Sequence, residues 1–433
     1  MTTLSTGDTI IVSGSLKNLD FTNLVNTNNP TYEYYPTRPG VWPKTLNILN
    51  KHFPFNLYPA VFQLSNGKVM MFVSNSTALL DPVTDTVDET SIPDILLPDK
   101  FPWIYPYTPT SVMLPLTKKN NYASHIMICG GSRIENIKAD ERCIDINFAE
   151  PNPQWKQIES MRFGRVMPDS VILPDGKILF ANGAGYGVAG GDAGNPVNAW
   201  NPVFETSLFD PEAPAGQRWT SAGTMTVPRL YHSGLVLLAD GRVVSTGSEE
   251  QNYVDVQGQN RTECFPNPGG QACTNPFEYR MEAFEPAYLS LPQERPAIRF
   301  APAKTTYTSK FLVSMSTDAT KVNKAAFLRY STSTHSINMD QRYVELDILA
   351  VNTTHVYLQA PANSAIAPAG NYFLFLLRDG KPSVAATVNL NAGVVTIDEL
   401  PQNGRASSQP SSAIGFKTAS ILSILFIFIS FLF

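Results

Sequence analysis

Basic charge is scarce in this chain: over 433 residues, 32 Lys and Arg stand against 37 Asp and Glu, a net charge of -5. With a pI of about 5.6 there is no basic footprint for nucleic acid. Long helical periods are nearly missing too, while 34 Pro and 27 Gly are spread along the chain. That leaves an all-β class with many turns. There are only four cysteines, none at CxxC spacing, which argues against a zinc site. The opening stretch, MTTLSTGDTIIVSGS, has neither a basic n-region nor an apolar h-region, so it carries no signal-peptide pattern. The rest is ordinary: 16% charged and 43% hydrophobic residues suit a globular protein with a large core, more than one domain and a small-molecule or carbohydrate-type substrate.

The cysteines form two local pairs, Cys129 with Cys143 and Cys264 with Cys273. They suggest two disulfides, without fixing the connectivity, in an oxidising compartment. Glycosylation sequons begin at Asn75, Asn260 and Asn352. At the C-terminus, small residues at Ala406, Ser407 and Ser408 precede a polar spacer, Gln409 to Thr418, and an apolar tail, Ala419 to Phe433. That is the order of a GPI-attachment signal, and the tail is shorter than the roughly 20 residues a span needs. Such an anchor requires the secretory pathway. The natural start is therefore expected upstream of Met1, and the protein outside the cell, secreted or held at the outer face of the plasma membrane.

The chain is organised around Val227 to Ser248, VPRLYHSGLVLLADGRVVSTGS. Two β-rich runs flank a turn at Asp240-Gly241, a hairpin with Tyr231 and His232 where the chain enters its first strand. Aligned on the turn, the pattern recurs from Met167 to Lys177 and from Tyr58 to Lys68, with His232, Met167 and Tyr58 each eight residues before the turn Asp or Asn. A looser copy runs from Pro109 to Ser132, and the opening stretch is another, with Gly7 in its turn. Further strands are expected at Thr31–Tyr35, Thr77–Leu80, Glu205–Phe209 and Tyr279–Phe284. Hairpin repeats of about 40 to 50 residues are blades of a kelch-type β-propeller, and Met1 to Leu289 holds five. Placing Gly7 on Gly67 puts the equivalent of Tyr58 before Met1, so the first blade is expected to lack its opening turn.

From about Leu291 the repeat stops. Short strands at Pro296–Phe300, Lys310–Ser314, Ala325–Tyr330, Arg342–Leu346, His355–Gln359, Tyr372–Leu377 and Ser383–Leu390 predict an immunoglobulin-like β-sandwich. The expected domains are a propeller over 1–290, a sandwich over 291–398, and a linker with a removable tail over 399–433.

Several stretches, in this order, resemble the copper-radical oxidases of the glyoxal oxidase and galactose oxidase family. They are NPTYEYYP (29–36), GRVMPDSVILPDGKILFANGAGYGVAGGD (164–192), PRLYHSGLVLLADGRV (228–243), YRMEAFEPAYL (279–289), STHSINMDQRYVEL (333–346) and PAGNYFLFLLRDGKPSVA (368–385). The glyoxal oxidase branch fits better. The resemblance implies a seven-bladed propeller, five blades of which are present, around one Cu(II). It puts the axial tyrosine at Tyr231 and histidine ligands at His232 and, from a sandwich loop, His335. Imidazole and phenolate are donors that tetragonal Cu(II) prefers.

The resemblance also implies a radical-bearing tyrosine cross-linked to a cysteine. Its Arg-Trp-Tyr turn would precede Met1, and none of Cys129, Cys143, Cys264 or Cys273 matches the cysteine motif, so this Tyr-Cys cofactor is absent from the sequence. In the family's reaction Tyr231 would be the catalytic base for a primary alcohol or hydrated aldehyde, the radical takes a hydrogen atom, and dioxygen leaves as hydrogen peroxide.

Two functions of different class follow. One is a GPI-anchored oxidase of small aldehydes such as glyoxal or methylglyoxal, or of primary alcohols. It would use dioxygen, touch the membrane only through its lipid anchor, and be a monomer when complete. The other is a catalytically incomplete surface module that binds glycans or matrix. A neuraminidase-like propeller finds no arginine triad or paired carboxylates here. His52, His125 and His355 match no ligand position and are expected to be structural. Tyr32, Tyr34, Tyr35, Trp103, Tyr105 and Tyr107 are expected to pack rather than line a pocket. Asp175 and Asp240 are turn formers.

Overall fold

The repeat is visible in its turns. The carbonyls of Leu4, Leu64, Leu173 and Leu238 accept from the amides of Gly7, Gly67, Gly176 and Gly241 at 2.9 to 3.0 Å. These glycines have φ of 94°, 91°, 92° and 86°, a left-handed conformation that any Cβ would strain. Just before three of them, the side chains of Asn66, Asp175 and Asp240 accept from the amide two residues on. That short local bond is why such turns select these residues.

The computed structural model describes residues 1–17, 26–40, 42–95, 102–134, 136–190, 199–248 and 278–391. Cys264, Cys273, the Asn260 sequon, the linker and the apolar tail lie outside the described residues.

Each repeat opens on a strand: β1 (Thr2–Thr3), β2 (Ala60–Gln63), β3 (Pro109–Met113), β4 (Asp169–Ile172) and β5 (Ser233–Leu237). From each, an antiparallel sheet runs outward in chain order, four strands of its own in the first four blades and three among the described residues in the fifth. The second strands Val69–Val73 and Ile178–Ala181 are buried along their whole length, as strands packed on both faces must be. Strand β1 lies against β2, and β4 between β3 and β5. Cys129 and Cys143 pair across neighbouring strands of the third blade and form a disulfide.

Beyond Leu291 the seven expected strands form, several with shifted ends. The fourth is longer than the sequence predicts, Tyr343–Val351. Its first part, to Leu346, pairs with Lys324–Arg329, and its remainder from Asp347 pairs with His355–Gln359 across a register shift between Ile348 and Ala350. A bulge bends and twists a strand, so this one serves both halves of a curled sheet.

The loop expected around His335 is a hairpin, β6 (Thr332–Thr334) and β7 (Ile337–Met339). Strand β7 joins the third blade as a parallel neighbour of β3, with Ile337 opposite Ser111. The Thr110 hydroxyl donates to the Ser336 carbonyl at 2.7 Å, and Asp340 accepts from the Thr2 and Thr3 hydroxyls at 2.9 and 2.6 Å. The hairpin therefore runs in among the opening strands of the blades. One apolar cluster joins Ile128 and Ile144 of the third blade to Val313, Phe327, Leu358 and Leu374 of the sandwich.

Candidate metal centre

Counting back from the turns places Leu57, Val166 and Tyr231 at one position of the repeat, and Tyr58, Met167 and His232 at the next. The first three are buried in a single cluster that also holds Tyr105. Two blades fill this position with an aliphatic side chain; the fifth fills it with a phenol. The second three have φ of 51°, 57° and 59°. Left-handed backbone costs a residue other than glycine about 1 to 3 kcal/mol, so each of these three blades keeps a strained corner where its first strand begins.

His335 arrives on the sandwich hairpin. It has φ of 51° and Ser336 has 63°, a two-residue left-handed turn between paired Thr334 and Ile337. Such turns match the twist of the flanking strands and usually carry Asn-Gly, so His-Ser at this tip is unusual.

The three side chains meet. The ring centre of His335 lies 5.1 Å from that of His232, the planes perpendicular at 90°, and 5.7 Å from that of Tyr231. Tyr231 and His232 stack on each other at 3.7 Å. Two imidazoles bound to one ion through nitrogens at roughly 2 Å have ring centres about 4.5 to 6.5 Å apart, so this spacing suits a shared metal. The Nδ1 of His335 lies 2.7 Å from the Thr334 hydroxyl, which leaves Nε2 for a further partner. Burial, and then the neighbouring His232, push the His335 pKa down to about 3, so the imidazole is neutral at ordinary pH.

Two more tyrosines complete the cluster. The hydroxyls of Tyr105 and Tyr231 are hydrogen-bonded; burial pushes the Tyr105 phenol up to about 12, with that bond acting the other way. Tyr58 stacks on His335 with centres 3.8 Å apart. Tyr105 therefore packs, as expected, but also reaches Tyr231. Tyr58 shares the repeat position of His232, the one signal in the sequence that points to it.

The remaining candidates are structural. Tyr32 and Tyr34 pack on Trp42 and donate to Asp85, and Tyr35 is exposed. His52 bonds Ser76, His125 bonds Asp145 and His355 bonds Thr354.

Among the described residues no group of three or more His, Cys, Asp or Glu is placed to hold a metal. A third donor would have to be a phenol oxygen, and two imidazoles with one phenolate make an N,O set suited to Cu(II). No cysteine among the described residues is free.

Residues 3–288 match the family described as glyoxal oxidase N-terminus, and residues 295–390 match the galactose oxidase-like early set domain. The chain is 32% identical over 406 residues to "Aldehyde oxidase GLOX" of Vitis pseudoreticulata, covering 89% of this chain and 70% of that protein. It is 31% identical over 368 residues to "Aldehyde oxidase GLOX1" of Arabidopsis thaliana, covering 77% of this chain and 55% of that protein, so it spans only about half the second relative's length. A solved structure titled "Novel fungal alcohol oxidase with catalytic diversity among the AA5 family, in complex with copper" shares the fold, with a TM-score of 0.55 at 18% identity over 90% of this chain and 84% of that one. With both regions matched in this order, the chain belongs to the glyoxal oxidase family of galactose oxidase-like copper-radical oxidases.

Proposed function

We propose that Tyr231, His232 and His335 hold one Cu(II), and that the protein oxidises small aldehydes, as their hydrates, or primary alcohols. Dioxygen is the acceptor and hydrogen peroxide the product. The observation that carries this reading is the meeting of a phenol and two imidazoles, from the fifth blade and from the sandwich hairpin, with ring centres within 6 Å. Bound copper would supply Lewis acidity and a one-electron acceptor.

The protein's own groups would do the rest. Tyr231 would take the hydroxyl proton of a bound substrate, with Tyr105 hydrogen-bonded to it; both phenols are buried while His232 beside them is exposed. A neutral His335 offers a lone pair rather than a charge. Beside Tyr58, Pro59, Thr334 and Ile337 opens a cavity of about 210 Å³, room for a molecule of a few heavy atoms. Placement outside the cell is supported by the Cys129–Cys143 disulfide, a bond of oxidising compartments.

A second reading, a surface binding module without turnover, is favoured by the lack of a free thiol among the described residues to cross-link a tyrosine. The test is to load the full chain with Cu(II) and record stoichiometry and electron paramagnetic resonance. One copper with coupling to two nitrogens supports the site. Absence of stoichiometric binding overturns it.

A further inference from the structure

We infer that Asp169 is a positioning residue that ties the strand carrying His232 to the hairpin carrying His335. The inference rests on the copper-site reading above.

Asp169 is the first residue of β4, in the fourth blade, and is 1% exposed. One carboxylate oxygen accepts from the Ser233 hydroxyl at 2.6 Å and from the Asn182 amide at 2.8 Å. The other accepts, at 3.4 Å, from the Ser333 hydroxyl. Ser233 directly follows His232, and Ser333 lies two residues before His335. One buried side chain in a third element thus bonds next to both histidines while touching neither ring.

A carboxylate makes all three bonds with acceptors alone. Ionised, it accepts on both oxygens and donates nothing, so it can satisfy two hydroxyls and an amide together. An asparagine could keep the two bonds at one oxygen, but its NH2 would then face Ser333, whose hydroxyl would have to turn from donor to acceptor across the 3.4 Å link. Reversing the Asn182 amide would in turn require the Ser245 hydroxyl, which donates to its oxygen at 3.0 Å, to become an acceptor. A core that needed only apolar filling would not keep a carboxylate there, since an ionised group out of water is expensive unless its bonds are made. Packing points the same way. A Cβ built on Gly234, next along β5, would lie 3.4 Å from the Cβ and Oγ of Ser333, about ordinary contact distance, so the hairpin lies directly against this strand.

The test uses the full chain as wild type, D169N, S233A and S333A, each checked for folding by near-ultraviolet circular dichroism and titrated with Cu(II). For D169N the expected result is Cu(II) affinity lowered about tenfold or more, the range seen when groups behind metal ligands are lost, together with a changed nitrogen coupling pattern. S333A should weaken binding less, and D169N/S333A should bind no worse than D169N alone, because both act through one link. A folded D169N with wild-type affinity and the wild-type two-nitrogen spectrum overturns the inference while the copper site stands. If D169N does not fold, unchanged affinity and spectra in both serine variants overturn it equally. A wild type that binds no Cu(II) through two nitrogens defeats the copper-site reading, and this one with it.

Discussion

The ring of Tyr58 lies over that of His335 with centres 3.8 Å apart and planes inclined by 16°. Tyr58 is 42% exposed, so it covers His335 from the solvent side of the cluster. Stacking restrains an imidazole whose tip backbone is already left-handed, so its loss should cost the candidate metal site order more than it costs the fold. Tyr58→Ala is expected to weaken Cu(II) binding severalfold with little change in thermal stability, and Tyr58→Phe to behave as wild type. Equal affinities for all three, measured by calorimetric titration, would remove Tyr58 from the site.

Gly247 guards the other histidine. A Cβ on it would lie 2.5 Å from the carbonyl oxygen of His232, and its φ is 70°. Gly183, one position further along its blade, comes similarly close to the Val166 carbonyl, at 2.6 Å. Gly7 is the useful contrast: its φ is 94°, but a Cβ there would meet nothing within 4 Å. Gly7→Ala should cost only left-handed strain, about 1 to 2 kcal/mol. Gly247→Ala should cost clearly more by chemical denaturation and should displace His232, lowering copper affinity as well. Similar stability losses for the two would mean that the approach to His232 relaxes freely.

Much of this was legible in the sequence, because a propeller repeat reports its own register. The Asn-Gly and Asp-Gly turns set the register of the second, fourth and fifth blades, and with that the positions of Tyr231 and His232. The sandwich strands were visible from their alternation and turn residues. Side-chain geometry was not. Nothing in the Ser and Thr around His335 distinguishes a loop from a two-residue hairpin, since His-Ser is not a usual left-handed pair. Tyr105 gave no periodic signal because it precedes its strand in an irregular segment, and Asp169 read as a strand residue because its partners lie 64 and 164 positions away. Long-range pairing of this kind is set by how sheets stack, which local pattern does not encode.

Asp169 should also show in the pH dependence of stability. Burial pushes its carboxyl up from 3.8 to about 6, and the charged group facing it is Arg229. A folded-state pKa above the unfolded one means that the native state binds the proton more tightly. The stability from this group is therefore complete below about pH 4 and is lost as pH rises through 6, by about 3 kcal/mol in all. Asp169→Asn removes the titration, so the stability of wild type relative to D169N should fall by about that amount between pH 4 and 7. Urea melts at both values test it, and a difference that stays constant with pH would contradict it.

The last prediction separates copper binding from turnover. The resemblance read from the sequence implies a radical-bearing tyrosine joined to a cysteine by a thioether, yet Cys129 and Cys143 are bonded to each other within the third blade. Neither thiol matches the family's cysteine motif, nor do Cys264 and Cys273. A disulfide and a Tyr-Cys thioether each lower the intact mass by about two daltons, but only the disulfide is restored by reductant. The copper-loaded chain, after full reduction under denaturing conditions, is therefore expected to return to the mass of the all-thiol polypeptide. Peroxide from methylglyoxal is then expected only from protein that keeps a deficit of about two daltons after reduction, because Tyr231 can accept a proton while the second electron needs a cross-linked tyrosine. A mass deficit that survives reduction, together with peroxide formation that needs added copper, would show that a tyrosine of this chain does form the cross-link. In that case the chain would be an oxidase as it stands.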